Sequence, residues 1–427
     1  MTSFALSRYV LIQAPNRSAK WVRAAAMAVL LMFVCLNAQA QTFTVLHNFT
    51  GGGDGSDPVA GISIDRAGNL YGASEQEVYK LTNKNGSWIF SPLFNFSELS
   101  EGSNPYARPV AAPDGTLYGS TQNGGSQTCE ILGCGLIYRL RPTSTICRSV
   151  DCYWSETLPW VFLLEPGQGV SPTYGDLLFD PAGDILGTTA SDGGSTTGTV
   201  YKLTNSGGSW GYSTLYNFAG GDDGKYPLSG VVADSAGNLY GTTSEGGSGN
   251  AGTVYELSPS GSGWTETVLY SFQNAADGGY PVAGLLLDQS GNLYGAATTG
   301  GANGGGTIFK LTPVGDGNWT FSVLYSFVES ANGFCPYASG PTGTLVMDTS
   351  GNLYGNTCTN GAFGFGAIFK LTPSHGGWTY ASMHDFEWAS DGAWPFGNIT
   401  LTSNGTLYGT ATGGGTDQRG TVWEIDP

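Results

Sequence analysis

The residues of this chain with the best chemistry for binding a ligand are aromatic side chains that stand next to prolines. Tyr226, Tyr280 and Trp394 each come directly before a proline, whereas Tyr106 and Tyr337 each follow one. Aromatic rings stack on sugars and other flat ligands, and an uncharged surface suits such contacts. These five residues are therefore candidate ligand-binding residues, and packing between neighbouring structural units is the simpler alternative.

Aspartates accompany the same segments of the chain. Asp223, Asp277 and Asp391 each precede a glycine a few residues before the aromatic residue. Carboxylates that ring an axis can hold Ca²⁺ through their oxygens, which makes these aspartates further candidate ligand-binding residues. Asp-Gly is also the commonest turn dipeptide, so capping of a turn is the simpler interpretation. We predict no cofactor and no metal-binding residue, with Ca²⁺ as the less favoured alternative.

The sequence contains no group of residues typical of a catalytic site. The Gly-x-Ser-x-Gly match at residues 207–211 lies between two β-patterned runs and is not a nucleophile elbow that opens a helix. None of the three histidines, His47, His375 and His384, is paired with a plausible nucleophile. A carboxylate pair for glycoside chemistry is defined by its separation in space, which a sequence does not give. We therefore predict no catalytic residue, favour a protein that is not an enzyme, and leave that question open.

Internal repeats organise everything after the first forty residues. The motif Gly-x-Leu-Tyr-Gly recurs, with a weaker version at residues 183–187, and its copies begin at Gly68, Gly115, Gly237, Gly291, Gly351 and Gly405. A second marker is a phenylalanine that ends an apolar run, at Phe49, Phe96, Phe162, Phe218, Phe272, Phe327 and Phe386. Both markers give seven copies, at a spacing of about 54 residues where the copies are most regular.

Each copy consists of four short β-patterned runs, which we name A, B, C and D in chain order. Four-stranded units that cannot bury their faces alone predict a β-propeller. The chain begins with a lone D run, residues 42–49, and ends with a C run, residues 420–425, so the first run can complete the last unit. The predicted fold class is all-β: a seven-bladed β-propeller closed by its N-terminal strand, with an open β-solenoid as the alternative.

Residues 1–40 have the layout of a secretory signal peptide. Four basic residues precede an apolar run of about 13 residues, and Ala38-Gln39-Ala40 supplies a small-x-small cleavage site. A membrane anchor is the alternative, although the apolar run is shorter than a span requires. We therefore predict a signal peptide at 1–40 and one propeller domain at 41–427.

The charge of the mature chain limits its partners. Loss of the four basic residues at 1–40 changes the formal net charge from −17 to −21. Nucleic acids and anionic membranes require a basic surface, so neither is an expected partner. We expect a monomer without a membrane span after cleavage, which is secreted, periplasmic or held at the cell surface.

Six cysteines lie outside the signal peptide, and an even number in an exported chain predicts disulfides. In a propeller, the loops that follow strand B and the crossovers that lead to strand A lie on one face. This placement predicts the pairs Cys129–Cys134, Cys147–Cys152 and Cys335–Cys358, with free thiols as the alternative.

The repeats resemble a known family. Trp-Thr-Glu-Thr-Val-Leu-Tyr-Ser-Phe at 264–272, Asp-Gly-x-x-Pro-x-x-Gly at 277–284 and Gly-Asn-Leu-Tyr-Gly at 291–295 are similar to the GloVer (Gloeo_Verruco) tandem repeat of exported bacterial proteins. The A–B hairpin more distantly resembles NHL-type propeller repeats. The resemblance implies export and a repeat fold, and it implies no defined activity.

Together these patterns predict an exported β-propeller that acts as a binding or scaffold module for a glycan or a protein partner. The alternative is an extracytoplasmic carbohydrate hydrolase or lyase that uses carboxylates at the axial channel. An enzyme requires one crossover whose polar residues depart from the repeat and meet a second carboxylate at the channel.

Overall fold

The described residues form seven four-stranded antiparallel sheets, which loops connect. The computed structural model describes residues 41–126, 128–129, 132–143, 154–192, 197–330, 335 and 340–426. Within it, Phe43–Asp426 form one compact unit. This is the predicted seven-bladed β-propeller.

The strands of each blade follow the predicted order A, B, C and D. Blades 1 and 2 comprise β2 (Ser63–Ile64), β3 (Leu70–Ala73), β4 (Glu77–Lys84), β5 (Ser87–Asn95), β6 (Val110–Ala111), β7 (Leu117–Thr121), β8 (Leu136–Arg141) and β9 (Ser155–Val161). Blades 3 and 4 comprise β11 (Leu178–Phe179), β12 (Ile185–Thr189), β14 (Thr199–Ser206), β15 (Ser209–Asn217), β16 (Val232–Ala233), β17 (Leu239–Thr243), β18 (Thr253–Ser260) and β19 (Gly263–Ser271).

The remaining blades have the same composition. Blades 5 and 6 comprise β20 (Leu286–Leu287), β21 (Leu293–Ala297), β22 (Gly304–Gly315), β23 (Asn318–Val328), β24 (Val346–Met347), β25 (Leu353–Thr357), β26 (Ala367–Ser374) and β27 (Gly377–Asp385). Blade 7 comprises β28 (Thr400–Leu401), β29 (Leu407–Ala411), β30 (Thr421–Asp426) and β1 (Thr42–Asn48). Outside the blades, the described residues form one two-stranded ribbon, β10 (Gly169–Val170) with β13 (Ser191–Asp192), and two 3₁₀ turns, Leu99–Glu101 and Gly221–Asp223.

The core of each blade depends on the glycine of the Leu-Tyr-Gly motif. In blade 4, Gly241 in strand B pairs with Tyr255 in strand C, and the tyrosine ring lies over the glycine. A Cβ at Gly241 would stand 2.3 Å from the Tyr255 hydroxyl oxygen, so a larger residue would displace a fully buried ring. The same contact recurs in the other blades, which explains why the motif ends in glycine.

The A–B hairpin is stabilised by the aspartate at its first turn position. In blade 5, the Asp288 carboxylate accepts hydrogen bonds from the backbone nitrogens of Ser290 and Asn292 at 2.8 and 2.9 Å. It also accepts bonds from Asn292 Nδ2 at 2.7 Å and from the Tyr294 hydroxyl at 3.1 Å. Burial acts to raise the pKa of Asp288, but these hydrogen bonds outweigh it and hold the pKa below its usual value. The recurring aspartate is thus explained by local architecture.

Adjacent blades are joined by hydrogen bonds from strand B to the crossover of the next blade. Thr188 Oγ1 donates to the carbonyl of Ser229 at 2.7 Å, and Thr242 Oγ1 donates to that of Ala283 at 3.1 Å. Thr410 Oγ1 makes the same bond to Ala60 at 2.9 Å, which joins blade 7 to blade 1. The seam between the last and first copies therefore repeats the other blade contacts.

The N-terminal strand closes the ring as predicted. β1 is the outer strand of blade 7 and lies beside β30. Beyond its end, Phe49 N donates to the carbonyl of Gly420 at 3.0 Å, and Thr416 N donates to Asn48 Oδ1 at 3.0 Å. The two ends of the described chain thus share one sheet, and β1 supplies the fourth strand of blade 7.

Candidate functional site

The seven segments that lead into strand A meet at one cavity. The cavity has a volume of 240 Å³, and residues from the crossovers of all seven blades line it. We call it the axial cavity. Its lining includes apolar residues such as Val59, Val231 and Leu285, together with a few polar side chains. A largely apolar cavity with a few convergent polar groups is the usual form of a small-ligand site.

The charged and amide side chains of the lining come from one position of the repeat, two residues before strand A. This position is glycine in blades 1, 4 and 5 and polar in blades 2, 3, 6 and 7. In blade order the seven residues are Gly61, Arg108, Asp176, Gly230, Gly284, Thr344 and Asn398. Glycine suits it because neighbouring backbones approach closely: a Cβ at Gly230 would lie 2.4 Å from the carbonyl oxygen of Asp176. The four polar residues therefore depart from the repeat where the blades meet.

Arg108, Asp176, Asn398 and Thr400 form a hydrogen-bonded group that we call the axial polar cluster. Arg108 Nη2 lies 2.6 Å from Asp176 Oδ2, and Arg108 Nη1 donates to Thr400 Oγ1 at 3.0 Å. Asn398 Nδ2 donates to Asp176 Oδ2 at 2.9 Å, and Arg108 N donates to Asp176 Oδ1 at 3.2 Å. The side chains of Arg108 and Asp176 are 26% and 21% exposed, so the pair is partly open to the cavity. The cluster links blades 2, 3 and 7 across the axis.

Aromatic rings stand beside the cluster. Tyr106 and Tyr174 are stacked with their centroids 5.7 Å apart and their planes 18° apart, and Phe396 meets Tyr174 edge-on at 5.0 Å. All three residues line the axial cavity. Burial raises the pKa of Tyr174 to about 12, and nearby Tyr106 adds to this effect, so the ring is uncharged at neutral pH.

Tyr106 also lines a second, smaller cavity, which we call the mouth cavity. Its volume is 180 Å³, and its other lining residues are Asp57, Val59 and Glu75. Burial raises the pKa of Tyr106, and the negative charges of Glu75 and Asp57 raise it further. Tyr106 therefore lines both cavities: the axial cavity, which contains Arg108 and Asp176, and the mouth cavity, which contains two acidic side chains.

The predicted aromatic residues occupy two different positions of the repeat. Tyr106 follows its proline and lines the axial cavity, whereas Tyr226, Tyr280 and Trp394 precede theirs and do not. The latter three are half-buried and adopt φ values of 58°, 52° and 56°, in the left-handed region. Tyr337 lies outside the described residues. Ligand binding by these five residues therefore stays a prediction, with the strongest geometry at Tyr106.

The backbone before each proline joins neighbouring blades. Tyr280 N donates to the carbonyl of Ala251 in the preceding blade at 2.7 Å, and Thr298 Oγ1 donates to the carbonyl of Tyr280 at 2.7 Å. Trp394 makes equivalent backbone bonds and also meets Trp388 edge-on at 4.7 Å. This arrangement agrees with the packing alternative for the pre-proline aromatics.

The predicted aspartates are held within their own crossover loops. Asp223 accepts a hydrogen bond from the Tyr216 hydroxyl at 2.7 Å, and Asp277 accepts one from the Tyr270 hydroxyl at 3.1 Å. Asp391 lies 2.9 Å from His384 Nε2. All three also accept backbone N–H groups four residues upstream. These bonds fit the turn-capping interpretation, and ligand binding by the three aspartates stays a prediction.

Two of the predicted disulfides are present, Cys129–Cys134 and Cys335–Cys358. The third predicted pair, Cys147–Cys152, lies outside the described residues. Cys335–Cys358 packs in a small apolar group with Val59, Phe396 and the ring of Tyr106. This disulfide therefore supports the wall of the axial cavity.

Among the described residues, no group of three or more His, Cys, Asp or Glu side chains is arranged to hold a metal ion. In the same part of the chain, no helix is long and apolar enough to cross a membrane.

Sequence reasoning missed Arg108, Asp176, Asn398 and Tyr174. The consensus Asp-Gly-x-x-Pro-x-x-Gly ends at the position of the axial polar cluster, as Gly284 shows. A comparison of the copies at that final glycine would have revealed Arg108, Thr344 and Asn398 as departures. Blade 3 keeps the consensus with Pro172 and Gly175, so Asp176, one residue later, required the structure.

The fold and the site define a closed seven-bladed β-propeller whose axial cavity contains a small polar cluster. Residues 172–423, more than half of the chain, match the model of the Gloeobacter/Verrucomicrobia repeat, so the chain belongs to this repeat family. No curated protein matches the chain in sequence.

Solved structures share the fold. Virginiamycin B lyase from Staphylococcus aureus aligns with 16% identity over 91% of this chain and 99% of its own, with a TM-score of 0.52. The extracellular domain of a protein assigned as a hybrid two-component system from B. thetaiotaomicron aligns with 12% identity and a TM-score of 0.54. That alignment covers 90% of this chain and 39% of the other. At these identities the likeness concerns the fold alone.

Proposed function

We propose that the protein is an exported binding module that takes one end of a glycan into the axial cavity. The observation that carries this proposal is the departure of Arg108, Asp176 and Asn398 from the repeat at the one place where all blades converge. Residues that serve the architecture recur in the copies, as Asp288 does. Residues that serve a single site are expected to break the pattern there.

The cavity suits a sugar better than a protein surface. It is small, it combines charged and amide groups with the rings of Tyr106 and Tyr174, and those rings offer a face for C–H stacking. A protein partner would instead contact the broad outer faces of the blades. Export rests on the signal-peptide pattern at 1–40 and is supported by the two disulfides, since these persist in oxidising compartments.

The enzyme alternative has weaker support. Acid–base chemistry on a glycoside needs two carboxyl groups flanking one bond. Among the described residues that line the axial cavity, Asp176 is the one carboxylate, and Arg108 and Asn398 occupy its oxygens. Asp57 and Glu75 line the mouth cavity instead.

A glycan array tests the proposal. The purified protein without residues 1–40 is expected to bind a subset of glycans, and Tyr106→Ala is expected to lower the signal at least tenfold. Tyr280→Ala and Trp394→Ala are matched variants outside the cavity, and unchanged binding by both would assign these rings to packing. An array without any signal for the folded protein would exclude the glycan and favour a protein partner.

A further inference from the structure

The charges of the axial polar cluster indicate which sugars the cavity accepts. We propose that the axial cavity selects a neutral sugar ring, which Arg108 and Asp176 hydrogen-bond together while Tyr106 stacks on it. This inference rests on the proposed glycan function and adds the class of sugar and the residues that select it.

The first step is charge balance. Arg108 and Asp176 are 2.6 Å apart and are the cation and the anion among the residues lining the cavity. Their charges cancel, so the cavity as a whole offers neither a free cation for a carboxylate sugar nor a free anion for an amino sugar. A charged ligand would lose its hydration without gaining a counter-charge, which is costly in a partly buried site.

The second step is the match of donors and acceptors. A guanidinium has five N–H donors, and the described side-chain bonds of Arg108 run to Asp176 and Thr400. Asp176 presents acceptor oxygens beside these donors, and both side chains remain about one quarter exposed. A sugar hydroxyl donates and accepts at once, so neighbouring hydroxyls can bond to Arg108 and Asp176 without separating the pair.

The third step is size and shape. A cavity of 240 Å³ holds on the order of eight water molecules at about 30 Å³ each, which is room for one sugar ring but not for a chain. Tyr106 and Tyr174 line the same cavity as the ion pair and supply the flat apolar surface that the C–H face of a sugar requires. The rest of a glycan would extend toward the mouth cavity, which Tyr106 also lines.

The test is a charge exchange measured by calorimetry. The probes are the methyl glycosides of glucose, galactose and mannose, methyl glucuronide, and methyl glucosaminide at mildly acidic pH. The wild-type protein is expected to bind one of the neutral glycosides at least tenfold more tightly than either charged probe.

Single substitutions should change this selectivity in opposite directions. Asp176→Asn leaves the guanidinium without its counter-charge, so preference is expected to move about tenfold toward glucuronide. Arg108→Gln leaves the carboxylate and should move preference toward glucosaminide. The double variant R108Q/D176N removes both charges and should again prefer the neutral glycoside, although with lower affinity. Thermal melting checks that each variant is folded. If a single variant is unfolded, the double variant still tests the inference.

The outcomes separate this inference from the proposed function. The inference is overturned if the wild-type protein binds a charged probe most tightly or binds none of the probes. It is also overturned if the substitutions leave the preference among the probes unchanged. If the glycan array remains positive in those cases, the glycan function stands and the sugar lies elsewhere. If the array is also blank, both proposals are wrong.

Discussion

A buried carboxyl group at Glu77 affects how stability depends on pH. The side chain is completely buried, and neither carboxyl oxygen has a hydrogen-bond partner among the described residues. Burial raises the pKa of Glu77 to about 8, and the negative charge of Asp54 contributes in the same direction. The equivalent residue in blade 4 is Thr253, whose hydroxyl pairs with that of Thr243 at 2.8 Å. Glu77 is therefore a costly substitution in the first copy.

The pKa of Glu77 is higher in the folded state than in the unfolded chain. Its contribution is therefore fully present below about pH 4.5 and is lost as the pH rises toward 8. Glu77→Gln should melt close to the wild-type temperature near pH 4.5 and higher by on the order of 3 °C above pH 8. Thermal melting across this pH range is the measurement, with exposed Glu165→Gln as the control. Parallel melting curves for wild type and Glu77→Gln would show that the carboxyl group does not titrate as described.

Buried tyrosine hydroxyls give a second prediction at the scale of the residue. The Tyr255 hydroxyl is buried and has no hydrogen-bond partner in the part of the chain that the structure describes, and the equivalent residue in blade 5 is Phe309. Tyr255→Phe should leave the free energy of unfolding unchanged or raise it by up to about 1 kcal/mol. The reverse change, Phe309→Tyr, should lower it by about 1–3 kcal/mol. Denaturant titration measures both, and a destabilised Tyr255→Phe would reveal a partner for the hydroxyl.

At the scale of the element, the A–B hairpin depends on one carboxylate. Asp288→Ala removes four hydrogen bonds from Ser290, Asn292 and Tyr294, and should cost about 2 kcal/mol of unfolding free energy. Denaturant titration checks the value, and exposed Asp417→Ala is the control. Blade 2 has Ala112 at this position, so the hairpin is expected to persist. Equal stability of the two variants would mean that water replaces the lost bonds.

The elements were more predictable from the sequence than the site. The Gly295 position recurs in the copies because an aromatic ring of strand C, here Phe309, packs on it, so the blades could be counted from the sequence. The left-handed conformation of Tyr280 could not be predicted, since aromatic residues rarely adopt it. Asn104 adopts the same conformation in blade 2, and Tyr106 lies two positions later, where blade 5 has Val282; both of these later residues line the axial cavity. The pairing of Arg108 with Asp176, 68 residues apart, also required the three-dimensional ring.

At the scale of the whole molecule, ring closure rests on β1. Phe43 stacks on His384 with centroids 3.6 Å apart, and His47 stacks on Phe90 at 4.3 Å. These contacts fasten β1 to the outer strands of blades 6 and 1. The closing strand is therefore held by both neighbouring blades as well as by its own sheet.

Removal of residues 41–49 should lower the melting temperature by more than 10 °C, because it exposes Val422 and Trp423 and breaks both blade contacts. A synthetic peptide of residues 41–50 should bind the shortened chain and restore much of the lost stability. Tryptophan fluorescence and thermal melting measure both effects, with a peptide carrying Phe43→Ala and Phe49→Ala as the control. A shortened chain as stable as the full one would contradict closure by β1.

The function of the molecule depends on whether the axial cavity holds a sugar. The most direct measurement is a crystal structure of the protein soaked with the neutral glycoside that binds best. We predict one sugar ring in the axial cavity, stacked on Tyr106 and within hydrogen-bond distance of Arg108 and Asp176. A sugar bound elsewhere on the propeller, with only water in the axial cavity, would contradict the account.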